Sequence, residues 1–251
     1  IFSSIGFYPQ IYIIDSRTGI DQDLLKEIIY VFIESGIPLV AGLLKKGHAI
    51  TLMGHSEPNL SNDDGEKFTP VARLINSYFS VDDNLMPYSI LGQNEPCSLD
   101  DISTVIVPLY EKMYFDIKTL LKRTLPQFEH EKLFPDSHYY RRVFMTSSRS
   151  FKYFAIHNIC DEKYKSLIVT RHLPKFIWIV EYIIKEHYPN HVYATLVFDA
   201  TAMEYNVDLS ELIFARIGQK LFGFGNTILL EEGYEPIYVN NLIKERCYEM
   251  D

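Results

Sequence analysis

What this chain has little of narrows it first. Only three cysteines occur in 251 residues, Cys97, Cys160 and Cys247. Their number is odd and no two stand in a CxxC spacing, which argues against a disulfide framework and against a structural zinc site. A reducing, cytoplasmic setting is the expectation. No apolar run approaches the roughly 20 residues that cross a bilayer, and no charged-then-apolar signal sequence opens the chain. Basic residues are scarce as well: 24 Lys plus Arg stand against 33 Asp plus Glu, a net charge of −9. That balance opposes the phosphate neutralisation that supplies most nucleic-acid affinity, so no nucleic-acid partner is expected. Internal repeats and low-complexity tracts are missing too, and "SSRS" around Arg149 lacks the glycines of a phosphate loop.

What is present is an ordinary globular composition. The chain is 47% apolar and carries 18 Tyr and 16 Phe, residues that favour sheets and broad packing surfaces. Its length suits one elaborated domain or two packed halves. Turn-forming residues concentrate in "GQNEPCSLDD" at 92–101, which predicts a boundary between a block 1–95 and a block 96–251.

The opening "IFSSIGFYPQIYIIDS" reads as loop and short strand. From Asp21 the period changes: Leu24, Leu25, Ile28, Ile29, Val31 and Phe32 recur at helical spacing, Asp21 can cap the start, and Gly36 stands where a left-handed residue ends a helix. "IPLVAGLL", "KKG" and "HAITLMGH" then read as strand, turn and returning antiparallel strand. Residues 56–76 are mostly loop by composition, and "SYFSV" is a strand ending at Asp82 and Asp83. Beyond Cys97 the pattern predicts strands in "TVIVPLYEKMYF", "LPKFIWIVEYII" and "VYATLVFDATA", and a helix in "DIKTLLKRTL". "YYRRVFMTSSRSFKYFAIHN" is of open type. The expected class is α+β.

Chemistry concentrates on one pair. His48 starts the strand "HAITLMGH", and Asp82 ends the strand "SYFSV". A thiol-based hydrolytic site needs a base that takes the thiol proton and a third group that fixes the imidazole tautomer. A histidine at one strand start and a carboxylate at a neighbouring strand end can meet at one sheet edge. Other candidates have simpler readings. His55 lies seven residues beyond His48, an odd spacing that predicts the opposite face of the strand and no shared metal. His187 and His191 have metal-like spacing, but Pro189 between them favours a turn. Asp199 in "VFDATA" reads as a turn-closing residue, Trp178 as core, and "KRTLPQFEHEK" as a solvated helix end.

The run "SGIPLVAGL", "GHAITLMGH", "SYFSVDDNLMPY" resembles the His and Asp half of the papain-like cysteine peptidases, in particular the group that is similar to the bacterial bacteriocin-processing peptidases cleaving after double-glycine leaders. The resemblance covers about residues 21–91. It implies a papain-like antiparallel sheet with helices, His48 as general base, Asp82 as its orienting carboxylate with Asp83 as the fallback, and a peptide or protein substrate. No cofactor is expected, and no metal either, since His48 and His55 diverge and the cysteines are isolated. Two departures stand out: the loop 56–76 lengthens the His-to-Asp spacing, and no Cys precedes His48. The expectation is therefore a cysteine peptidase or amide hydrolase whose nucleophile lies ahead of Ile1. The alternatives are a non-catalytic relative that binds a peptide or protein, or a permuted site using Cys97.

Overall fold

The computed structural model describes residues 6–43, 47–84, 88–91, 98–130, 134–159, 161–203, 211–218 and 220–223. Cys97, Cys160 and Cys247 lie outside them, as does the predicted "KKG" turn apart from Gly47. The chain is α+β and folds as two compact units, Ile1–Asp64 with Pro70–Met113, and Gly65–Thr69 with Tyr114–Asp251.

The first unit is built on β1 (Phe7–Ile13), α1 (Gln22–Glu34), β2 (Leu39–Leu43) and β3 (His48–His55). A short β4 (Phe68–Pro70) belongs mainly to the second unit, and the first continues with β5 (Tyr78–Val81), β6 (Ser89–Leu91) and β7 (Ile102–Tyr110). Its sheet runs β1-β7-β2-β3-β5-β6, each neighbour antiparallel. The strand β7 thus sits between β1 and β2, and the first unit extends to Met113, past the 92–101 stretch where composition alone suggested a boundary. Local turn chemistry marks where the chain bends; which sheet a later strand joins is a long-range choice that it does not encode.

The helix α1 forms where its periodicity predicts. Asp21 accepts a hydrogen bond from the Leu24 amide at 2.9 Å, satisfying one orphan N–H of the first turn. At the other end Gly36 adopts φ 72°, the Gly36 amide donates to Ile33 O and the Ile37 amide to Phe32 O. This is the two-bond stop that needs a left-handed residue, which glycine takes without strain. The buried face of α1, with Leu25, Ile28, Ile29 and Phe32, packs on one side of the sheet, where Leu39, Ala41, Ile50, Leu52, Val105 and Val107 are also buried. Each such large side chain contributes on the order of 1.5–3 kcal/mol relative to exposure.

The segment 56–76 is more ordered than its composition suggests. It contains two single-turn 3₁₀ helices, Leu60–Asn62 and Val71–Leu74. Val71 and Leu74, three residues apart, fall on one side of such a turn and are both buried.

In the second unit a helical run comprises α2 (Ile117–Thr119), a π-helical segment Leu120–Thr124 and α3 (Leu125–His130). Then follow β8 (Tyr139–Ser147), α4 (Ser148–Asn158), α5 (Glu162–Thr170), β9 (Phe176–Ile184), β10 (Val192–Asp199), β11 (Leu212–Ile217) and β12 (Lys220–Gly223), with sheet order β12-β11-β10-β9-β8-β4. The stretch "YYRRVFMTSSRSFKYFAIHN" resolves as β8 running directly into α4, with the Ser147 hydroxyl accepting from the Ser150 amide at 3.0 Å as the helix cap.

Helices cover both faces of this second sheet. Phe151, Phe154 and Tyr164 of α4 and α5 join Phe144, Ile177 and Ile179 in one core. On the other face the Trp178 indole N–H donates to Phe115 O at 3.1 Å, and Phe128 meets Phe198 edge-on. Being covered on both sides explains why β9 reads as an almost unbroken apolar run. The stretch "KRTLPQFEHEK" is less solvated than its charges suggest: Leu125 is buried, and Glu129 accepts from Arg141 at 2.6 Å and from the Tyr182 hydroxyl at 3.1 Å.

Candidate active-site dyad on the first sheet

The turn into β3 sets the first residue of the site. Gly47 adopts φ 60°, again a left-handed conformation suited to glycine, and His48 follows as the first residue of the strand, paired with Leu43 of β2. On the neighbouring β5, Val81 pairs with Thr51, so Asp82 emerges one residue beyond the paired segment. His48 and Asp82 therefore sit diagonally across adjacent strands, on the same face as Ile50 and Ser80. Such diagonal neighbours are within reach of a long side chain.

The side chains meet. His48 Nε2 lies 2.8 Å from Asp82 Oδ1, with His48 partly buried and Asp82 only 7% exposed. Asp83 is 86% exposed and its nearest oxygen is 3.9 Å from the same nitrogen, beyond hydrogen-bond range. Of the two carboxylates expected from the sequence, Asp82 is the imidazole's partner and Asp83 faces solvent.

The Asp82 carboxyl is held below the usual carboxylate range, first by the Asn84 backbone amide, which donates to Oδ1 at 2.9 Å, and then by His48, against an opposing effect of burial. An ionised Asp82 accepts the Nε2–H of His48. That bond leaves Nδ1 as the unprotonated, basic nitrogen of the neutral ring. Asn84 is the residue sequence reasoning missed. Its amide orients Asp82, its side-chain Nδ2 donates to Asp83 Oδ1 at 3.3 Å, and it stands 3.5 Å from His48 Nε2. A signal was available: an Asp at a strand end commonly accepts from the backbone two residues on.

His55 departs from its expected orientation. The pairing of β3 with β5 shifts register between Leu52 and Gly54, and His55 then pairs with the buried Tyr78. This bulge adds one residue and restores His55 to the α1 side, the same side as His48. There Nε2 donates to Glu34 Oε2 at 2.7 Å and Nδ1 to Ser56 O at 2.8 Å, with the Tyr30 ring 5.2 Å away. The ring serves both acceptors only when doubly protonated. Burial, and then the Glu34 charge, push the adjacent Tyr78 hydroxyl upward.

Among the described residues, one group can gather a metal ion: His48, Asp82 and Asp83, whose ligand atoms lie within 4.8 Å of one another. Asp82 and Asp83 lie 34 and 35 residues beyond His48 in the chain, so this trio forms only where β3 and β5 pair. An ion there would have to displace the Nε2 proton that Asp82 now accepts. The His187 and His191 rings lie 5.3 Å apart around the turn after the 3₁₀ segment Lys185–His187. The His191 ring is held low by burial and by its neighbour His187. Asp199 closes a turn, its Oδ1 accepting from the Thr201 amide and hydroxyl at 2.7 and 2.6 Å.

No protein-family model matches the chain, and no curated protein or solved structure matches it either.

Proposed function

We propose that the first unit is the base-and-carboxylate half of a papain-like cysteine peptidase or amide hydrolase, with the thiol supplied by residues ahead of Ile1. The observation that supports the reading is the 2.8 Å contact between His48 Nε2 and Asp82 Oδ1, which in this reading leaves Nδ1 to act as the base. In the reaction Nδ1 takes the thiol proton as sulfur attacks the carbonyl carbon of a peptide or amide. The tetrahedral oxyanion collapses to a thioester, and the amine leaves with the proton returned from Nδ1. Water, deprotonated by the same nitrogen, then cleaves the thioester to the acid and regenerates the thiol. Asp82 stabilises the imidazolium that forms at each proton transfer and keeps the ring in one orientation.

The rival reading, a non-catalytic protein that binds a peptide in the same place, draws on the lack of any Cys among residues 1–47. The experiment that separates them uses the full-length gene product with a fluorogenic peptide library. In His48→Ala, turnover falls by about 10²–10⁴, the range for loss of a general base, while Asp82→Asn retains more activity than His48→Ala. Turnover in His48→Ala equal to the parent's would refute the hydrolase reading. Peptide binding without turnover in the parent would favour the rival.

A further inference from the structure

The strands β1 and β7 present large apolar side chains on both faces, with Gln10, Ser103 and Thr104 the polar exceptions. Yet α1 covers only one. By register, Ile11 faces Ile106, which faces Val40, which faces Thr51, which faces Val81, and this row lies on the side away from α1. The side chains on that outer side include Ile11, Ile13, Met53, Phe79, Ile90 and Tyr110, all exposed; Ile11 is 57% and Phe79 43% accessible. The Phe79 ring lies over Gly54, 3.0 Å from where a Cβ would stand, so even the glycine of the bulge is roofed by an aromatic. No described strand position on this side carries a charge. Contiguous apolar surface of this extent marks an interaction site.

We propose that this face seats a second copy of the chain, sheet against sheet about a two-fold axis. Six strands at about 4.8 Å spacing and about 20 Å in length present about 500 Å² per copy, so two copies bury about 1,000 Å², the threshold for a specific interface. Charge supports the same occupant. Each chain carries −9, and two acidic copies can approach only through a surface free of that charge. A membrane surface is disfavoured by the same facts, since anionic lipid is held by Lys and Arg beside the apolar residues, and none of the described strand positions on this side is a Lys or Arg. Two twisted antiparallel sheets pack with aligned strands about 10 Å apart, and a two-fold axis lets one patch serve both partners. The proposal is independent of the hydrolase reading.

The test is sedimentation velocity on the whole chain from about 1 to 100 µM. The parent sediments as a dimer, and Ile11→Lys with Phe79→Lys raises the dissociation constant at least tenfold without lowering the melting temperature, because both side chains are exposed in the single copy. Tyr153→Lys, exposed on α4, leaves the dimer intact. A monomeric parent at 100 µM overturns the proposal, as does a dimer that survives both lysines.

Discussion

The pair Glu34–His55 offers the sharpest test of how the first unit is held together. Its side chains are 7% and 16% exposed and 2.7 Å apart. It ties the last residue of α1 to the last residue of β3, at the opposite end of the strand from His48. Removing the imidazole leaves a nearly buried carboxylate. An ordinary glutamic acid titrates near pH 4.3, so discharging Glu34 at pH 7 costs about 3.7 kcal/mol, each pH unit being worth about 1.4. Partial access of water lowers that ceiling, and the expected cost of His55→Phe is about 3 kcal/mol, the low end for breaking a buried pair. Glu34→Leu costs less, about 2 kcal/mol, because an imidazole sheds its Nε2 proton near neutral pH and keeps its bond to Ser56 O. The double variant removes both charges but also the bond to Ser56 O, so it costs about 1–3 kcal/mol, below the sum of the singles. Urea unfolding reads this directly: with m of about 1–3 kcal/mol/M, the His55→Phe midpoint drops by about 1–3 M. Single variants each costing under about 0.5 kcal/mol, or a double equal to their sum, would refute the reasoning.

Two further outcomes follow from the buried and partly buried charges. Because the Asp82 carboxyl is held low in the fold, it adds stability above the ordinary aspartate value near 3.9, and that contribution is lost as pH falls through the lowered value. Between pH 5 and pH 2 the parent should lose more stability than Asp82→Asn; parallel curves for the two would count against the Asn84–Asp82–His48 arrangement. In the second unit, Arg142 and Glu181 are register partners bonded at 2.9 Å with almost no exposure. Arg142→Met alone should cost about 3–5 kcal/mol by chemical denaturation, since it removes one member of a desolvated, hydrogen-bonded ion pair; a cost under about 1 kcal/mol would count against the pairing.

Much of the local structure is legible in the sequence because it rests on nearest-neighbour chemistry. The 3.6-residue period, Asp21 and Gly36 define α1 to within a residue at each end, since capping bonds involve only atoms a turn apart. The β2–β3 pairing follows from two short apolar runs around a glycine, and with it His48 at the strand start. The stretch "SYFSVDD" places two carboxylates at the end of β5, but not which one turns inward; that depends on the Asn84 amide and on the diagonal reach from His48, which exist only once β3 and β5 pair.

His55 shows the same division most plainly. Parity along an ideal strand puts it opposite His48, and the reasoning is sound for an unbroken ladder. A bulge at Met53–Gly54 adds a residue and reverses the parity, and a glycine inside a strand pattern is the trace it leaves in the sequence. The buried partner Glu34 stands 21 residues away on a helix, so no local rule could have coupled the two. Placement of β7 between β1 and β2 is likewise a choice among distant pairings, decided by the apolar area each arrangement buries and not by the residues at the turn. Propensity and periodicity act over a few residues and were written into the chain. The dyad's partner, the turned histidine and the exposure of Ile11 and Phe79 on one sheet face arise from contacts across tens of residues, where only the folded packing sets which groups meet.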